Sequence, residues 1–403
     1  MIFSSLKNYR RFVSLIGISV ITMTLAISPA LAAPSYAEWF RFDDSVLKTW
    51  EIDEVDGDPH SVKIHRKGQR FGEAGQRVVV YYPRPSSAYD TAITEILTVF
   101  GEKNIDTDFT IFNFRKGDKR GQTGLKNAKT WGADLIFSMG SESTAWLWKN
   151  YRGGPIPVVS VCSKDPVMLG QMDAYDRGSG TNFAFTSLNM PVKWQMAYVL
   201  ELKPKLKNLA ILVNSKNISA VETQAKPIAE FVRPLGIQVI NIAIDNPNRA
   251  REELAESIPD AVNLMRKSDP GLDNSVFWVT GSTSVFREME TINAHSDRVP
   301  VLSLVPDVVR AGDNSAVLAV GIAFDSNAHL AALYGADVLS GRVEAGDLEV
   351  GIVTPPDISI SWRKAREIGL DIPFSFFESA SYVYDYDGRL VRYRGKPVTN
   401  NPG

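Results

Sequence analysis

The sequence predicts an α/β protein with two similar doubly wound parallel-sheet lobes joined by a hinge. From Arg77 onward, short apolar stretches alternate with amphipathic ones, which is typical of strands and helices in a parallel sheet covered on both faces. The alternation runs in two series, one up to about residue 161 and one from about residue 208. At about 150 residues per domain, a chain of 403 residues is long enough for two such lobes.

Two loops of the first series recur in the second series in the same order. The stretch IFSMGSESTAW (136–146) matches VFWVTGSTSVF (276–286), and PIPVVSVCSKDPV (155–167) matches RVPVLSLVPDVV (298–309). The first glycines of the first pair are 141 positions apart, and the strand starts of the second pair are 143 apart. Because order and spacing are both kept, two lobes of one architecture explain the pairs better than chance does.

The individual elements follow from periodicity and from the turn residues between them. In the first series we predict strands at 77–82, 108–114, 133–139 and 157–161, with helices at 88–104, up to about 131, and 143–151. In the second series we predict strands at 208–213, 236–243, 275–280, 300–304 and 315–324, with helices near 217–234, 249–267, 283–295 and after residue 328. The predicted segments are a signal peptide (1–32), an N-terminal extension (33–75), lobe 1 (76–186), lobe 2 (187–350), a return segment packing on the lobes (351–380) and a C-terminal tail (381–403).

The first 32 residues have the pattern of a secretory signal peptide. Three basic residues precede an apolar run at 12–27, and SPALAA (28–33) carries the small-x-small pattern of a cleavage site near Ala32. An uncleaved membrane anchor is the alternative, but the run of about 16 residues is shorter than the ~20 needed to span a bilayer. We therefore expect cleavage and a periplasmic protein.

Composition excludes several classes of function. The net charge of −2 and the 22% content of charged residues do not favour binding to nucleic acid. Cys162 is the single cysteine, so neither an intramolecular disulfide nor a cysteine-based metal cluster can form. No phosphate-binding or dinucleotide-binding glycine motif and no histidine–carboxylate cluster is present, so we predict no cofactor and no metal site.

The two matching loops are candidate binding sites for an anion. Each lies after a strand and opens a helix, whose free N–H groups and dipole favour a carboxylate. The alternative is that the hydroxyls only cap their helices. The candidate residues are Gly140, Ser141, Glu142, Ser143 and Thr144 in the first lobe and Gly281, Ser282, Thr283 and Ser284 in the second.

Three aspartates also fall at or just after strand ends, where ligands bind in open α/β sheets. They are Asp165, Asp307 and Asp325. One of them could accept the ammonium group of a ligand in a charge-assisted hydrogen bond, and helix capping is again the alternative.

Catalysis by a serine is not favoured. A Ser–His–acid triad needs a histidine in a strand-end loop, and none of the four histidines is convincingly placed there. The loop at residue 140 also lacks the Gly-x-Ser-x-Gly spacing of a nucleophile elbow. We therefore expect no catalytic residue and no enzyme, with a periplasmic hydrolase using Ser141 or Ser143 as the alternative.

The order of the motifs resembles that of ABC transporter substrate-binding proteins of the tryptophan/tyrosine uptake type. The carrying stretches are RVVVYYPRPSSAYD, GADLIFSMGSEST, PIPVVSVCSKDPV, GTNFAFTSLNMP (180–191), NLAILVNSKN, VFWVTGSTSV and PVLSLVPDVV, and the resemblance covers about residues 76–375. It implies the type I periplasmic-binding-protein fold and a small-molecule ligand, here a carboxylated metabolite such as an amino acid, including aromatic ones. It also implies a monomer that delivers this ligand to a membrane permease.

The resemblance also implies site residues. It adds Ser86, Ser87, Asn214 and Ser215 to the two matching loops and the three aspartates as expected ligand contacts. The same fold serves sensory subunits that signal to a membrane receptor, so a membrane sensor is the alternative partner. A structural envelope protein, in which the matching loops only cap helices, is a further alternative.

Overall fold

The first lobe begins in the N-terminal extension. The computed structural model describes residues 34–398, and the signal peptide predicted for residues 1–32 lies outside this range. Two short 3-10 helices, Ser35–Glu38 and Asp44–Lys48, come first. The following elements are β1 (Trp50–Glu54), β2 (Ser61–Arg66), β3 (Gln76–Tyr82), α1 (Ser87–Glu102), β4 (Thr107–Asn113), α2 (Asp118–Trp131), β5 (Leu135–Met139), α3 (Gly140–Tyr151), β6 (Val158–Val161), β7 (Phe183–Ala184) and β8 (Thr186–Ser187).

The sheet of the first lobe has seven strands in the order β1-β2-β4-β3-β5-β6-β7. Strands β3 to β7 run parallel, and β1 and β2 add an antiparallel hairpin beside β4. The central strands are apolar over their whole length, because helices cover both faces of the sheet; β5, for example, is buried at every position.

The extension predicted for residues 33–75 is therefore an integral part of the first lobe. Trp50 is 1% exposed, and its ring packs edge-on against Phe109 at a centroid distance of 5.5 Å. Its indole N–H donates to the carbonyl of Leu97 at 3.0 Å. The large buried ring and the satisfied N–H explain how a polar, Gly-containing segment is held on the sheet edge.

The remaining elements build the second lobe, apart from one helix that packs on the first lobe and one short strand that pairs with β8. They are α4 (Val192–Leu202), β9 (Asn208–Asn214), α5 (Ile218–Ala220), α6 (Lys226–Val232), β10 (Gln238–Ile244), α7 (Ala250–Ser268), β11 (Ser275–Val279), α8 (Thr283–Phe286), α9 (Met289–His295), β12 (Val301–Ser303), β13 (Leu318–Gly321), α10 (Phe324–Leu339), β14 (Gly351–Ile352), β15 (Asp357–Ser361), α11 (Trp362–Ile368), α12 (Phe374–Ser379), β16 (Tyr382–Tyr384), β17 (Leu390–Tyr393) and β18 (Lys396–Pro397). A π-helical turn at Val221–Ala225 joins α5 to α6.

The sheet of the second lobe has nine strands in the order β10-β9-β11-β12-β13-β15-β16-β17-β18. Its first five strands are parallel, and β15 is antiparallel to β13. The tail predicted as a separate segment from residue 381 supplies β16 to β18, which continue this sheet as its last three strands. The predicted fold class, two doubly wound α/β lobes, is confirmed.

The chain passes between the lobes three times. The first passage follows β8 and the third follows β14, and these two short strands pair in parallel as a small sheet of their own. The second passage lies between β13 of the second sheet and α10, which packs against α1 and β6 of the first lobe. The predicted boundary of lobe 2 at residue 350 differs from this packing, because α10 lies on the first lobe.

The helices after the two matching loops differ in length. Helix α3 runs for 12 residues, whereas α8 has four residues and is separated from α9 by Arg287 and Glu288. The N–H of Arg287 reaches the carbonyls of Thr283 and Val285, so the turn tightens and the helix ends there. No helix within residues 34–398 is long and apolar enough to cross a membrane.

Candidate ligand-binding cleft between the two lobes

A cavity of about 770 Å³ lies between the lobes, and we call it the interlobe cleft. Loops at the carboxyl ends of β3, β5 and β6 face it from the first lobe, and loops after β9 and β11 face it from the second. This is the position at which open α/β sheets bind ligands. Nine of the sequence-predicted residues line it: Ser86, Ser87, Gly140, Ser141, Glu142, Asn214, Gly281, Thr283 and Ser284.

The start of α1 forms one wall of the interlobe cleft. Ser86 occupies the N-cap position, yet its hydroxyl makes no capping hydrogen bond, and Ser87 is exposed at the first turn. Behind them, the Tyr89 ring packs on Gly140, which has a φ of +74°. A Cβ on Gly140 would lie 2.1 Å from the Tyr89 hydroxyl, so only glycine lets α3 begin this close to α1.

Ser141 and Glu142 face the cleft but are held by neighbouring residues. The hydroxyl of Ser141 accepts a hydrogen bond from the backbone N–H of Lys164 at 2.9 Å. The Glu142 carboxylate lies 2.8 Å from Arg84 and 2.5 Å from the ammonium group of Lys116. Burial alone would raise the pKa of Glu142, but the two cations outweigh burial and lower that pKa. The side chain is therefore ionised, and its negative charge is balanced by Arg84 and Lys116.

Ser143 and Thr144 do not line the interlobe cleft. Both are fully buried, and the hydroxyl of Ser138 on β5 lies 3.0 Å from that of Ser143 and 3.1 Å from that of Thr144. Thr144 also donates to the carbonyl of Gly140 at 3.0 Å. Their hydroxyls thus hold the start of α3 against the sheet, on the side of the helix turned away from the cleft.

Lys164 is a cleft residue that the sequence reasoning missed. It is 8% exposed, and its ammonium group donates to the carbonyl of Gly281 at 3.3 Å, which joins the first lobe to the second. Burial and the nearby Arg84 lower the pKa of Lys164 to about 8. A signal for it was present, because Lys164 is the one cation of the CSKDP loop that directly follows strand β6.

Asp165, the next residue, has a structural role. Its carboxylate accepts hydrogen bonds from the backbone N–H groups of Val167 and Met168 at 2.9 and 3.0 Å. The hydroxyl of Tyr175 also donates to it at 2.7 Å. These three donors fix the turn after Asp165, so the carboxylate does not reach the interlobe cleft.

The second lobe presents amide and hydroxyl groups to the cleft. The side-chain amide of Asn214 donates to the hydroxyl of Ser284 at 2.9 Å, and the N–H of Gly281 donates to the side chain of Gln224 at 2.9 Å. Ser282 is fully buried, and its hydroxyl accepts from the N–H of Asn214 at 3.3 Å. Ser215 turns toward Asp245, to whose carboxylate it donates at 2.6 Å. Neither Ser282 nor Ser215 lines the cleft.

Asp307 and Asp325 lie in a second cavity of about 640 Å³, which we call the side cavity. It shares Ser87 and Asp90 with the interlobe cleft, and Tyr382 of the C-terminal hairpin forms part of its wall. The hydroxyl of Tyr382 donates to Asp325 at 3.0 Å. Burial, with Asp325 nearby, raises the pKa of Asp307 to about 7. The three predicted aspartates therefore do not meet in one site.

The geometry holds no assembled serine triad. None of the four histidines, all within residues 34–398, is hydrogen-bonded to a serine hydroxyl; His329, for example, lies 2.8 Å from the carboxylate of Glu95. Within the same residues, no group of three or more His, Cys, Asp or Glu side chains could hold a metal ion.

No protein-family model and no curated protein matches the chain significantly. Solved structures do match its fold. A conserved domain protein from Vibrio cholerae O1 biovar El Tor is 16% identical, with a TM-score of 0.61, and the match covers 76% of this chain and 99% of that one. An ABC domain in complex with L-Trp from Streptococcus pneumoniae is 18% identical, with a TM-score of 0.57 and coverage of 76% and 100%.

A third match is a ligand-free, open substrate-binding protein with adhesive properties from Clostridium difficile. It is 18% identical, with a TM-score of 0.56, and the match covers 76% of this chain and 98% of that one. At these identities the likeness establishes the fold, which is the two-lobed type I periplasmic-binding-protein fold.

Proposed function

We propose that this chain is a solute-binding protein that closes its two lobes on a small carboxylated metabolite. The observation that carries the proposal is Lys164, a buried ammonium group in the interlobe cleft whose hydrogen-bond partner, the carbonyl of Gly281, carries no full charge. Glu142 acts on Lys164 from nearby but is paired with Arg84 and Lys116, so no described carboxylate forms an ion pair with Lys164. A buried cation without such a partner is unfavourable, and a ligand carboxylate would supply one in a strong, charge-assisted hydrogen bond.

The surrounding groups suit a small polar ligand. Ser86, Ser87 and Thr283 bring hydroxyls to the cleft, and Asn214 brings an amide. The cleft volume of about 770 Å³ is within the usual range for small-molecule sites. We expect these residues to contact the ligand, while Ser143, Thr144, Asp165, Ser215 and Ser282 hold the loops that carry them.

The proposal extends to the location, the oligomeric state and the partner of the protein. We propose that the protein is exported to the periplasm, is not an enzyme, binds as a monomer and delivers its ligand to the membrane permease of an ABC uptake system. Amino acids, aromatic ones included, are the first ligands to test, because the resemblance to tryptophan/tyrosine-type binding proteins points to them. The fold and the two-sided cleft support this proposal, since such lobes close on a ligand by a hinge motion.

A ligand screen tests the proposal. The purified protein is titrated with a panel of amino acids and other small carboxylates, and its thermal unfolding is followed, because a ligand that binds only the folded state raises Tm. Hits are confirmed by calorimetry with the wild type and with Lys164→Gln. We expect at least one carboxylate to bind and the variant to lose about 100-fold or more in affinity, as the loss of a buried charge pair implies.

Lys203→Gln is the matched control. Lys203 also donates its ammonium group to a backbone carbonyl, that of Asp273 at 3.0 Å, but it does not line the interlobe cleft. Its variant should bind as the wild type does. A panel without any hit, or equal affinity in the wild type and in Lys164→Gln, contradicts the proposed function.

A further inference from the structure

The interlobe cleft is strongly positive although the whole chain is slightly negative. Three carboxylates line it, Glu38, Asp90 and Glu142, against six cationic side chains, which leaves a net charge of +3 in the lining. The chain as a whole has a net charge of −2. The cations are Arg41, Arg84, Lys116, Lys164, Lys216 and Arg287. Such a local concentration of one sign creates a field that attracts an oppositely charged ligand.

The cations that line the cleft differ in whether a carboxylate is paired with them. In the first lobe, Glu142 forms ion pairs with Arg84 and Lys116, whereas neither Lys164 nor Arg41 forms an ion pair with any described residue. In the second lobe, Lys216 and Arg287 are exposed and form no ion pair with any described residue. Uncompensated positive charge therefore faces the interlobe cleft from both sides.

Burial separates these charges into two groups. Lys164 is buried at the floor, where its charge is poorly screened, and its lowered pKa reflects burial together with repulsion from Arg84. Lys216 and Arg287 line the cleft from the opposite lobe and are exposed to solvent, and we call them the rim cations. One anionic group at the floor can neutralise Lys164, but it leaves the rim cations unpaired.

We propose that the physiological ligand carries two anionic groups, as a dicarboxylate or a phosphomonoester does. One group pairs with Lys164 of the first lobe, and the other pairs with Lys216 and Arg287 of the second lobe. This inference rests on the proposed function and specifies the ligand class of the same cleft. A ligand that bridges cations of both lobes favours the closed state over the open one, because it gains the second contact only on closure.

Charge-matched pairs of ligands test the inference. Calorimetric titrations of the wild type compare succinate with succinamate, glutamate with glutamine, and phosphoserine with serine, at about 50 mM and about 300 mM salt. In at least one pair we expect the doubly anionic member to bind about tenfold tighter or more, and to lose more affinity at the higher salt concentration. The carboxylate and phosphate pairs distinguish the two sources of the second charge.

Two double variants locate the second contact. The first is Lys216→Gln with Arg287→Gln, tested on the ligand pair whose doubly anionic member binds tighter to the wild type. In this variant the doubly anionic member should bind only about twofold tighter or less, because the rim cations are gone. The control is Lys267→Gln with Arg233→Gln, which removes the same charge from exposed positions outside the cleft lining and should keep the full preference.

The outcomes separate this inference from the proposed function. If singly charged carboxylates bind as tightly as their doubly charged partners, or the cleft double variant keeps the preference, two-anion recognition is wrong while the binding function stands. If no member of the panel binds, both are wrong.

Discussion

Replacing Lys164 by methionine should separate stability from binding. Methionine keeps much of the apolar stem of lysine and removes the ammonium group from the floor of the interlobe cleft. In the wild type Lys164 is 8% exposed, and its ammonium group has a backbone carbonyl, that of Gly281, as its partner. We therefore expect a variant that is more stable than the wild type and that has lost its ligand.

The size of the effect follows from the pKa of Lys164. Burial and Arg84 lower it from 10.5 to about 8. Each pKa unit corresponds to about 1.4 kcal/mol, so keeping the group charged at neutral pH costs the folded state about 3 kcal/mol. Loss of the 3.3 Å hydrogen bond to Gly281 offsets about 1 kcal/mol of this. The expected net gain is about 2 kcal/mol in the free energy of unfolding, or about 3 °C in Tm for this chain length.

Urea unfolding of the wild type and of Lys164→Met across a pH series is the assay. The folded pKa is lower than the unfolded one, so the unfolded state binds more protons between about pH 8 and pH 10.5. The wild type should therefore gain stability from Lys164 as pH rises through that window. The advantage of the variant should fall to zero before about pH 10.5 and then reverse, because the charge cost of about 3 kcal/mol disappears while the lost hydrogen bond still costs about 1 kcal/mol. The same series shows whether ligand affinity of the wild type falls above about pH 8, as the ammonium group loses its proton.

Two results would refute this reasoning. One is a Lys164→Met protein that is less stable than the wild type at neutral pH. The other is a stability difference that stays constant between about pH 8 and about pH 10.5, because the pKa of Lys164 would then not be the cause. Lys203→Met is the control, since it lies outside the cleft lining and its removal should leave ligand affinity unchanged.

Three further substitutions test the supports around the cleft, each by urea unfolding. Gly140→Ala should destabilise the protein by about 2 kcal/mol or more, because the new Cβ would meet the Tyr89 hydroxyl at 2.1 Å and the φ of residue 140 is +74°. An unchanged stability would show that the starts of α1 and α3 are not held so closely. Arg394→Gln should lower the free energy of unfolding by about 2 kcal/mol or more, since the guanidinium lies 2.7 Å from the buried Glu95 of the first lobe. An unchanged urea midpoint would show that the C-terminal hairpin does not stabilise the contact between the lobes. Asn327→Leu should cost about 3 kcal/mol, because the buried amide oxygen accepts the N–H of the residue after β6 at 2.7 Å, and a loss below about 1 kcal/mol would be inconsistent with that bond.

Much of the fold was predictable because its signals are local. The apolar strands from β3 to β6 and from β9 to β13 are short runs bounded by turn residues, and their alternation with helices is visible in the sequence. The matching loops at Gly140 and Gly281 do begin helices on either side of one cleft. The strands of the extension and of the tail were harder to predict from the sequence, because they are held by contacts with other elements, such as the packing of Trp50 on Phe109.

The candidate site was predictable only in part. The loops that line the cleft were identified correctly as strand-end loops, but the orientation of single side chains within them was not visible. Ser141 faces the cleft while Ser143 and Thr144 face Ser138 of the sheet, although all three follow the same glycine. Which side of α3 faces the ligand depends on how the helix is rotated against β5, and that rotation is set by packing.

The sequence by itself determined the α/β class, the two lobes and the loops that meet between them, because strand periodicity and turn chemistry depend on neighbouring residues. Only the tertiary structure decided the charge of the cleft. Lys164 became a functional candidate through its burial beneath the opposite lobe and its contact with Gly281, which is 117 positions away. Burial and electrostatic environment arise from residues far apart in the chain, and no local pattern encodes them.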